Sequence, residues 1–150
     1  MKIVLNKCFG GFGISHKAKM EIMKRKNKTV FPYVHDWKNE EVWTRFDGQK
    51  VGLMDYICYC EKDPGTNQVE LSWGEMDARY VFADVDFDSD SKRGDKDLVE
   101  VVAELGEEAN GPFADLRMIR ARNRLLSMVM LVHAIARAEI CRTISQSITY

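Results

Sequence analysis

Two stretches of this chain carry residue types and spacings that chemistry can use. The first is Lys7-Cys8-Phe9-Gly10-Gly11-Phe12-Gly13-Ile14-Ser15-His16. Glycines permit positive φ and close backbone approach. Ser15 is a candidate N-cap, so the positive end of a helix dipole would stand beside the loop amides. Gly10, Gly11, Gly13 and Ser15, with charge from Lys7, His16 and Lys17, then form a candidate site for a small anionic, phosphorylated ligand. The stretch lacks the Gly-Lys-Ser/Thr ending of a P-loop and the G-x-G-x-x-G spacing of a dinucleotide fingerprint. Its plainer reading is a tight strand-to-helix corner with Phe9 and Phe12 packed into the core. Cys8 sits where a helix start lowers a thiol pKa, or else is a small buried residue at a strand end.

The second stretch is Asp84-x-Asp86-x-Asp88. On an alternating strand over Tyr80–Asp88, these carboxylates share one face with Phe82, and Val81, Ala83, Val85 and Phe87 share the other. Clustered carboxylates suit a divalent metal in phosphoryl-transfer or nuclease chemistry. A calcium loop does not fit, because Ser89 replaces the glycine at its sixth position and Asp95 the glutamate at its twelfth. Without a metal, the ladder is an exposed face whose like charges discourage edge-to-edge pairing. No Ser-His-Asp or Cys-His set is assembled, and no cofactor beyond such a metal is indicated.

The bulk of the chain is that of a globular protein. It has 150 residues, 45% hydrophobic and 30% charged, and a formal net charge of −1. One domain with a real core is the default at this length. The balanced charge provides no global field toward nucleic acid or an anionic membrane. Cys8, Cys58, Cys60 and Cys141 include a C-x-C but no second pair at zinc spacing, which reads as reduced thiols. Met1-Lys2 is followed by only a three-residue apolar run, so no signal peptide is expected and the location reads as the cytoplasm, of a host cell or of the producing cell.

These residues need elements to position them. Ile3-Val4-Leu5 reads as a strand covered on both faces, and residues 15–26 as a helix with Ala18, Ile22 and Met23 inward. Lys24, Arg25, Lys26 and Lys28 crowd its end, as a solvated face or a phosphate contact. Thr29–Val34 is β-prone, with Pro32 restricting it to an edge or a strand end. Val42–Phe46 is a second strand closed by Asp47-Gly48. Val51–Cys60 is either helix or strand. Val69, Leu71 and Trp73 alternate as a strand. Residues 96–109 form the strongest helix, capped by Asp95 or Asp97 and ended by Asn110-Gly111 with glycine at positive φ. Ala114, Leu116 and Met118 alternate toward Ile119.

Beyond that, Arg120, Arg122 and Arg124 precede an apolar run over 125–136 that is too short to span a bilayer. It reads as an extra C-terminal helix that is buried, pairs with a second copy through residues 120–142, or lies at a membrane surface. His133 has Arg137 rather than a second ligand at i+4 and reads as a packed residue.

Two segments carry a resemblance. Residues 1–15, MKIVLNKCFGGFGIS, are similar to the opening of a family of small phage and prophage proteins, and residues 97–111, DLVEVVAELGEEANG, resemble that family's later helix. The resemblance covers residues 1 to about 119. It implies a phage or prophage origin and carries no established activity. After Ile119 the chain departs from the family's acidic ending, as a shifted reading frame would make it do.

Together these readings give an α+β fold: residues 1–119 as one domain with a mostly antiparallel sheet and helices near 15–26 and 96–109, then the C-terminal extension 120–150. The function expected is non-enzymatic binding of a host protein or a small anionic ligand. The alternatives are a metal-dependent enzyme using Asp84, Asp86 and Asp88, and an assembly protein held together by its tail.

Overall fold

The computed structural model describes residues 1–39, 41–49, 55–87 and 89–120. The expected C-terminal helix, with His133 and Cys141, lies outside the described residues, as do Asp88 and residues 51–54. In chain order the elements are β1 (Lys2–Asn6), α1 (His16–Arg25), β2 (Phe31–His35), β3 (Val42–Arg45), β4 (Tyr56–Cys60), β5 (Gln68–Glu70), α2 (Trp73–Tyr80), α3 (Lys96–Leu105) and β6 (Leu116–Arg120). Single 3₁₀ turns occupy Asp90–Lys92 and Gly106–Ala109. The fold is α+β, with every ladder between named strands antiparallel. The expected sheet is two sheets among the described residues, one of two strands and one of four. They fall in separate compact units: Met1–Ile14 with the described residues from Phe87 to Arg120, and Ser15–Asp86.

In the first unit, β1 pairs with β6, with Ile3 opposite Ile119 and Asn6 opposite Leu116. Ile3 and Val4 point to opposite faces and both are buried, as the apolar run predicts. α3 packs on both strands through its apolar stripe, of which Leu98, Val99, Val101 and Val102 are buried. The Asp95 carboxylate caps it by accepting from the amides of Asp97 and Leu98. The helix ends earlier than its pattern predicts. Gly106, at φ +56, stops α3, and residues 106–109 continue as a 3₁₀ turn. Gly111 is needed for another reason: a Cβ there would lie 2.9 Å from the carbonyl carbon of Gly13.

One buried side chain organises the glycine-rich loop. Asn6 Nδ2 donates to the carbonyls of Gly10 (2.7 Å) and Gly11 (3.1 Å). Its Oδ1 accepts from the amides of Asp115 (2.8 Å) and Cys8 (3.3 Å). Asn110 acts similarly from the other side, accepting from the Leu116 amide at 2.8 Å. The Gly111 amide donates to the Gly13 carbonyl at 3.0 Å, and Lys7 N to the Asp115 carbonyl at 2.8 Å. Residues 6–14 and 110–116 are thereby stitched together. None of Gly10, Gly11 and Gly13 takes the positive φ that the sequence allows. At Gly10 it is space that matters, since a Cβ would stand 1.9 Å from the Phe113 carbonyl oxygen.

The second unit is the four-stranded sheet, in the order β4-β2-β3-β5. Residues paired across strands share a face. One face carries Tyr33, Trp43, Cys58 and Cys60, packed with Met76 of α2. The other carries Tyr59 and Ile57, packed with Met20 and Met23 of α1 and with Val30 and Val85. α1 starts where the sequence predicts, with Ser15 Oγ accepting from Ala18 N at 3.2 Å and with Ala18, Ile22 and Met23 buried. Its end is a Schellman motif. Asn27, at φ 53, donates to Lys24 O, and Lys28 N donates to Met23 O.

Pro32 lies near the end of β2, yet β2 is an interior strand. Its carbonyl accepts from Phe46 N at 3.0 Å on the β3 side. An antiparallel residue aims its nitrogen and its carbonyl the same way, so the donorless nitrogen also faces β3. The β2–β3 pairing runs only from Tyr33 to His35, so Pro32 stands just past its end, where its carbonyl is used and the donor it lacks costs only the terminal bond.

Two expectations for the middle of the chain fail. Trp73 does not continue a strand. Ser72 and Glu75 form a capping box, with Glu75 Oε2 accepting from Ser72 N at 3.1 Å, and this starts α2 at Trp73. The expected strand over Tyr80–Asp88 does not form over Tyr80–Phe87, its described part. Tyr80 ends α2, and the chain leaves through Val81 at φ 58, a strained value for a β-branched residue. It then touches β4 only through the Cys60–Phe82 bridge and neighbouring amides, such as Ala83 N to Tyr59 O at 2.7 Å. Burial still alternates, with Val85 and Phe87 buried and Asp84 and Asp86 exposed. Among the described residues no helix is long and apolar enough to cross a membrane.

Replacing Asn6 with alanine strands two carbonyls and two amides in a partly buried loop. We expect Asn6→Ala to lower unfolding free energy by about 2–4 kcal/mol in urea titrations. Gly10→Ala should also destabilise strongly. Gly11→Ala, with nothing within 4 Å of its Cβ, should stay within about 0.5 kcal/mol of wild type. Equal effects at Gly10 and Gly11 would contradict this packing.

Candidate functional site

The residues of the predicted anion site do not fall in one unit. Lys7, Gly10, Gly11 and Gly13 belong to the first, and Ser15 and His16 to the second. Within the loop, the carbonyls of Gly10 and Gly11 turn onto Asn6. The trans peptide then directs the amides of Gly11 and Phe12 the opposite way. The phenylalanines are not packed as the corner reading expects. Phe9 is fully exposed, and half-buried Phe12 lies under the Arg93 guanidinium, 4.7 Å from its ring centroid. Cys8 is exposed, and its Sγ donates to Phe113 O at 2.9 Å.

His16 is part of an aromatic and polar group on the α1 side of the four-stranded sheet. Its Nδ1 lies 2.9 Å from Tyr59 Oη, and Phe46 meets its ring edge-on at 4.6 Å. Burial, helped by the charge of Lys19, holds its pKa below the ordinary imidazole value. Burial pushes the Tyr59 phenol up. Lys19 Nζ lies 5.3 Å from the Tyr59 ring centroid and pairs with Asp86 at 2.8 Å. Asp86 also accepts from Tyr56 Oη at 3.3 Å. Of the three aspartates predicted to hold a metal, Asp86 is thus engaged by a lysine and a tyrosine, Asp84 is exposed, and Asp88 lies outside the described residues. Among the described residues no three His, Cys, Asp or Glu side chains converge as a metal set.

The opposite face of this sheet presents the more distinctive surface. His35 is the register partner of Trp43 on β3 and of Tyr56 on β4, so three ring side chains stand in a row across the sheet. His35 bonds toward β4, which makes His35–Trp43 the non-hydrogen-bonded pair, where side chains come closest. Their centroids are 4.5 Å apart. Trp43 is fully buried, and its Nε1 donates to Leu71 O at 2.8 Å. Trp73, on the first turn of α2, lies over the row at 5.2 Å from Trp43, 5.4 Å from His35 and 6.1 Å from Tyr56. Phe82 closes the group at 5.2 Å from Trp73. The outer rings remain in solvent: Trp73 is 45% and Tyr56 48% exposed. The result is a rigid aromatic platform, anchored below and open above.

This platform unites residues that are far apart in the sequence, from His35 to Phe82. Two signals for it were present. Ser72-x-x-Glu75 is a capping box, which puts Trp73 on an exposed first helical turn rather than inside a strand. All three tryptophans also fall between residues 37 and 73. Comparison with protein-family models, with curated proteins and with solved structures finds no match to this chain.

Two measurements check this geometry. His16 has a folded-state pKa below its unfolded value, so its contribution is present above pH 6.5 and is lost as pH falls through the folded value. Urea midpoints should drop as pH is lowered from neutrality into the mildly acidic range, and His16→Gln should flatten that slope. Burial raises the Cys58 thiol to about 12 and the Cys60 thiol to about 11, whereas Cys8 is exposed. In native protein, peptide mapping after brief alkylation should find Cys8 modified and Cys58 and Cys60 unmodified until denaturant is added.

Proposed function

We propose that this protein is a non-enzymatic binding protein that recognises a partner protein through the aromatic platform of Trp73, Tyr56 and His35. The observation that supports this reading is the half-exposure of Trp73 and Tyr56 on a bed fixed by buried Trp43. Trp and Tyr dominate binding energy when a partner completes their desolvation. Here their rotamers are already held by ring contacts, so little ordering entropy remains to be lost on docking. The resemblance to phage and prophage proteins makes the partner a protein of the host cell.

The test is affinity capture from that cell with the immobilised full chain. A specific partner should be retained by wild type and by Phe9→Ser, whose exposed ring lies in the other unit. Trp73→Ser should weaken retention by more than about thirtyfold, as loss of a tryptophan hot spot does. Tyr56→Ser should weaken it as well. Capture that is indifferent to both platform substitutions would rule the reading out.

A further inference from the structure

A second surface of the four-stranded unit has the form of a ligand site. Where α1 ends and the chain turns back toward β2, Met20, Met23, Lys24, Asn27, Lys28, Thr29 and Val30 line an open hollow of about 410 Å³. That is the size range of small-molecule sites. Its apolar part is partly exposed Met20, packed over buried Met23 and Val30 of the hydrophobic cluster on that face of the sheet. Methionine thioethers are flexible and polarisable and adapt to an irregular apolar guest. Its polar part is two exposed lysines, Lys24 and Lys28, with Asn27 between them in sequence and Thr29 just after.

A helix C-terminus ordinarily repels an anion, because its last carbonyls carry partial negative charge. Here the Schellman turn covers two of them, since Met23 O accepts from Lys28 N at 2.9 Å and Lys24 O from Asn27 N at 3.0 Å. The nearby acids are also engaged. Glu21 pairs with Arg25 at 3.3 Å, and Glu61 stands 3.8 Å from Lys28 in an exposed pair. An exposed pair of that kind is easily exchanged for another anion.

We propose that this hollow binds a small amphiphilic anion of the alkyl carboxylate class. The alkyl chain lies along Met20, above buried Met23 and Val30, and the carboxylate lies between the ammonium groups of Lys24 and Lys28. Charge complementarity selects the head, and the methionine floor selects the tail. This site is independent of the aromatic platform and does not rest on the proposed partner.

The test is NMR of the full chain with labelled methionine methyls, using octanoate, octanol and inorganic phosphate as probes. The other six of the eight methionines serve as internal controls. Octanoate should shift the Met20 and Met23 methyls saturably. Lys24→Gln with Lys28→Gln should weaken that binding about tenfold, the worth of one charge-assisted contact. Trp73→Ser should leave it unchanged. Failure of octanoate to move those two methyls overturns the proposal. So does undiminished affinity in the double variant, octanol binding as tightly as octanoate, or phosphate alone producing the same shifts.

Discussion

The buried indole of Trp43 is what the four-stranded unit is built around. It is fully enclosed, and its one polar atom is satisfied by the Leu71 carbonyl. That single bond ties β3 to the chain just after β5, immediately before the Ser72 cap of α2. The indole therefore does two things. It fills the core against Tyr33, Cys58, Cys60 and Met76, and it holds Leu71 beside the Ser72 cap at which α2 begins. Truncating a buried side chain of this size costs about 3–5 kcal/mol. The exposed rings of Trp73 and Tyr56 inherit their rigidity from it.

In the other unit the equivalent organiser is polar. Asn6 has one carboxamide and meets four backbone groups with it, two donors and two acceptors. A planar amide suits this task because it mimics a peptide group. The chain between Asn6 and Ile14 forms no strand ladder of its own, so a side chain supplies what a neighbouring strand would. Glycine then serves proximity. At Gly10 and Gly111 backbone meets backbone with no room for a Cβ.

What the sequence made legible follows from how local each signal is. α1 was readable because its cap and its apolar stripe lie within one stretch: Ser15, Ala18, Ile22 and Met23. The strand at Ile3–Leu5 and the body of α3 were readable for the same reason. The end of α3 was not, because Gly106 and Gly111 both offer a stop and the difference between them lies in distant Gly13. Tyr80–Phe87 carries the period of a strand, and burial alternates over residues 84–87, but its ladder contact to β4 is the single Cys60–Phe82 bridge. Periodicity reports exposure, not hydrogen bonding. The aromatic platform was hidden because His35, Trp43, Tyr56 and Trp73 meet only through strand register and one capping box. The residues of the anion corner are close in sequence, but Lys7 to Gly13 and Ser15 with His16 fall in different compact units, a division that no local pattern announces.

Pro32 carries one further consequence. Sliding β3 along β2 by two residues toward the β2 N-terminus would call on the Pro32 nitrogen as a donor, and it has no hydrogen to give. Sliding it by one residue would turn buried Trp43 out to the opposite face. The missing hydrogen and the large indole therefore guard the same hairpin from different directions. A short antiparallel pair is thereby closed to the one-residue slip and to the two-residue slip toward Pro32.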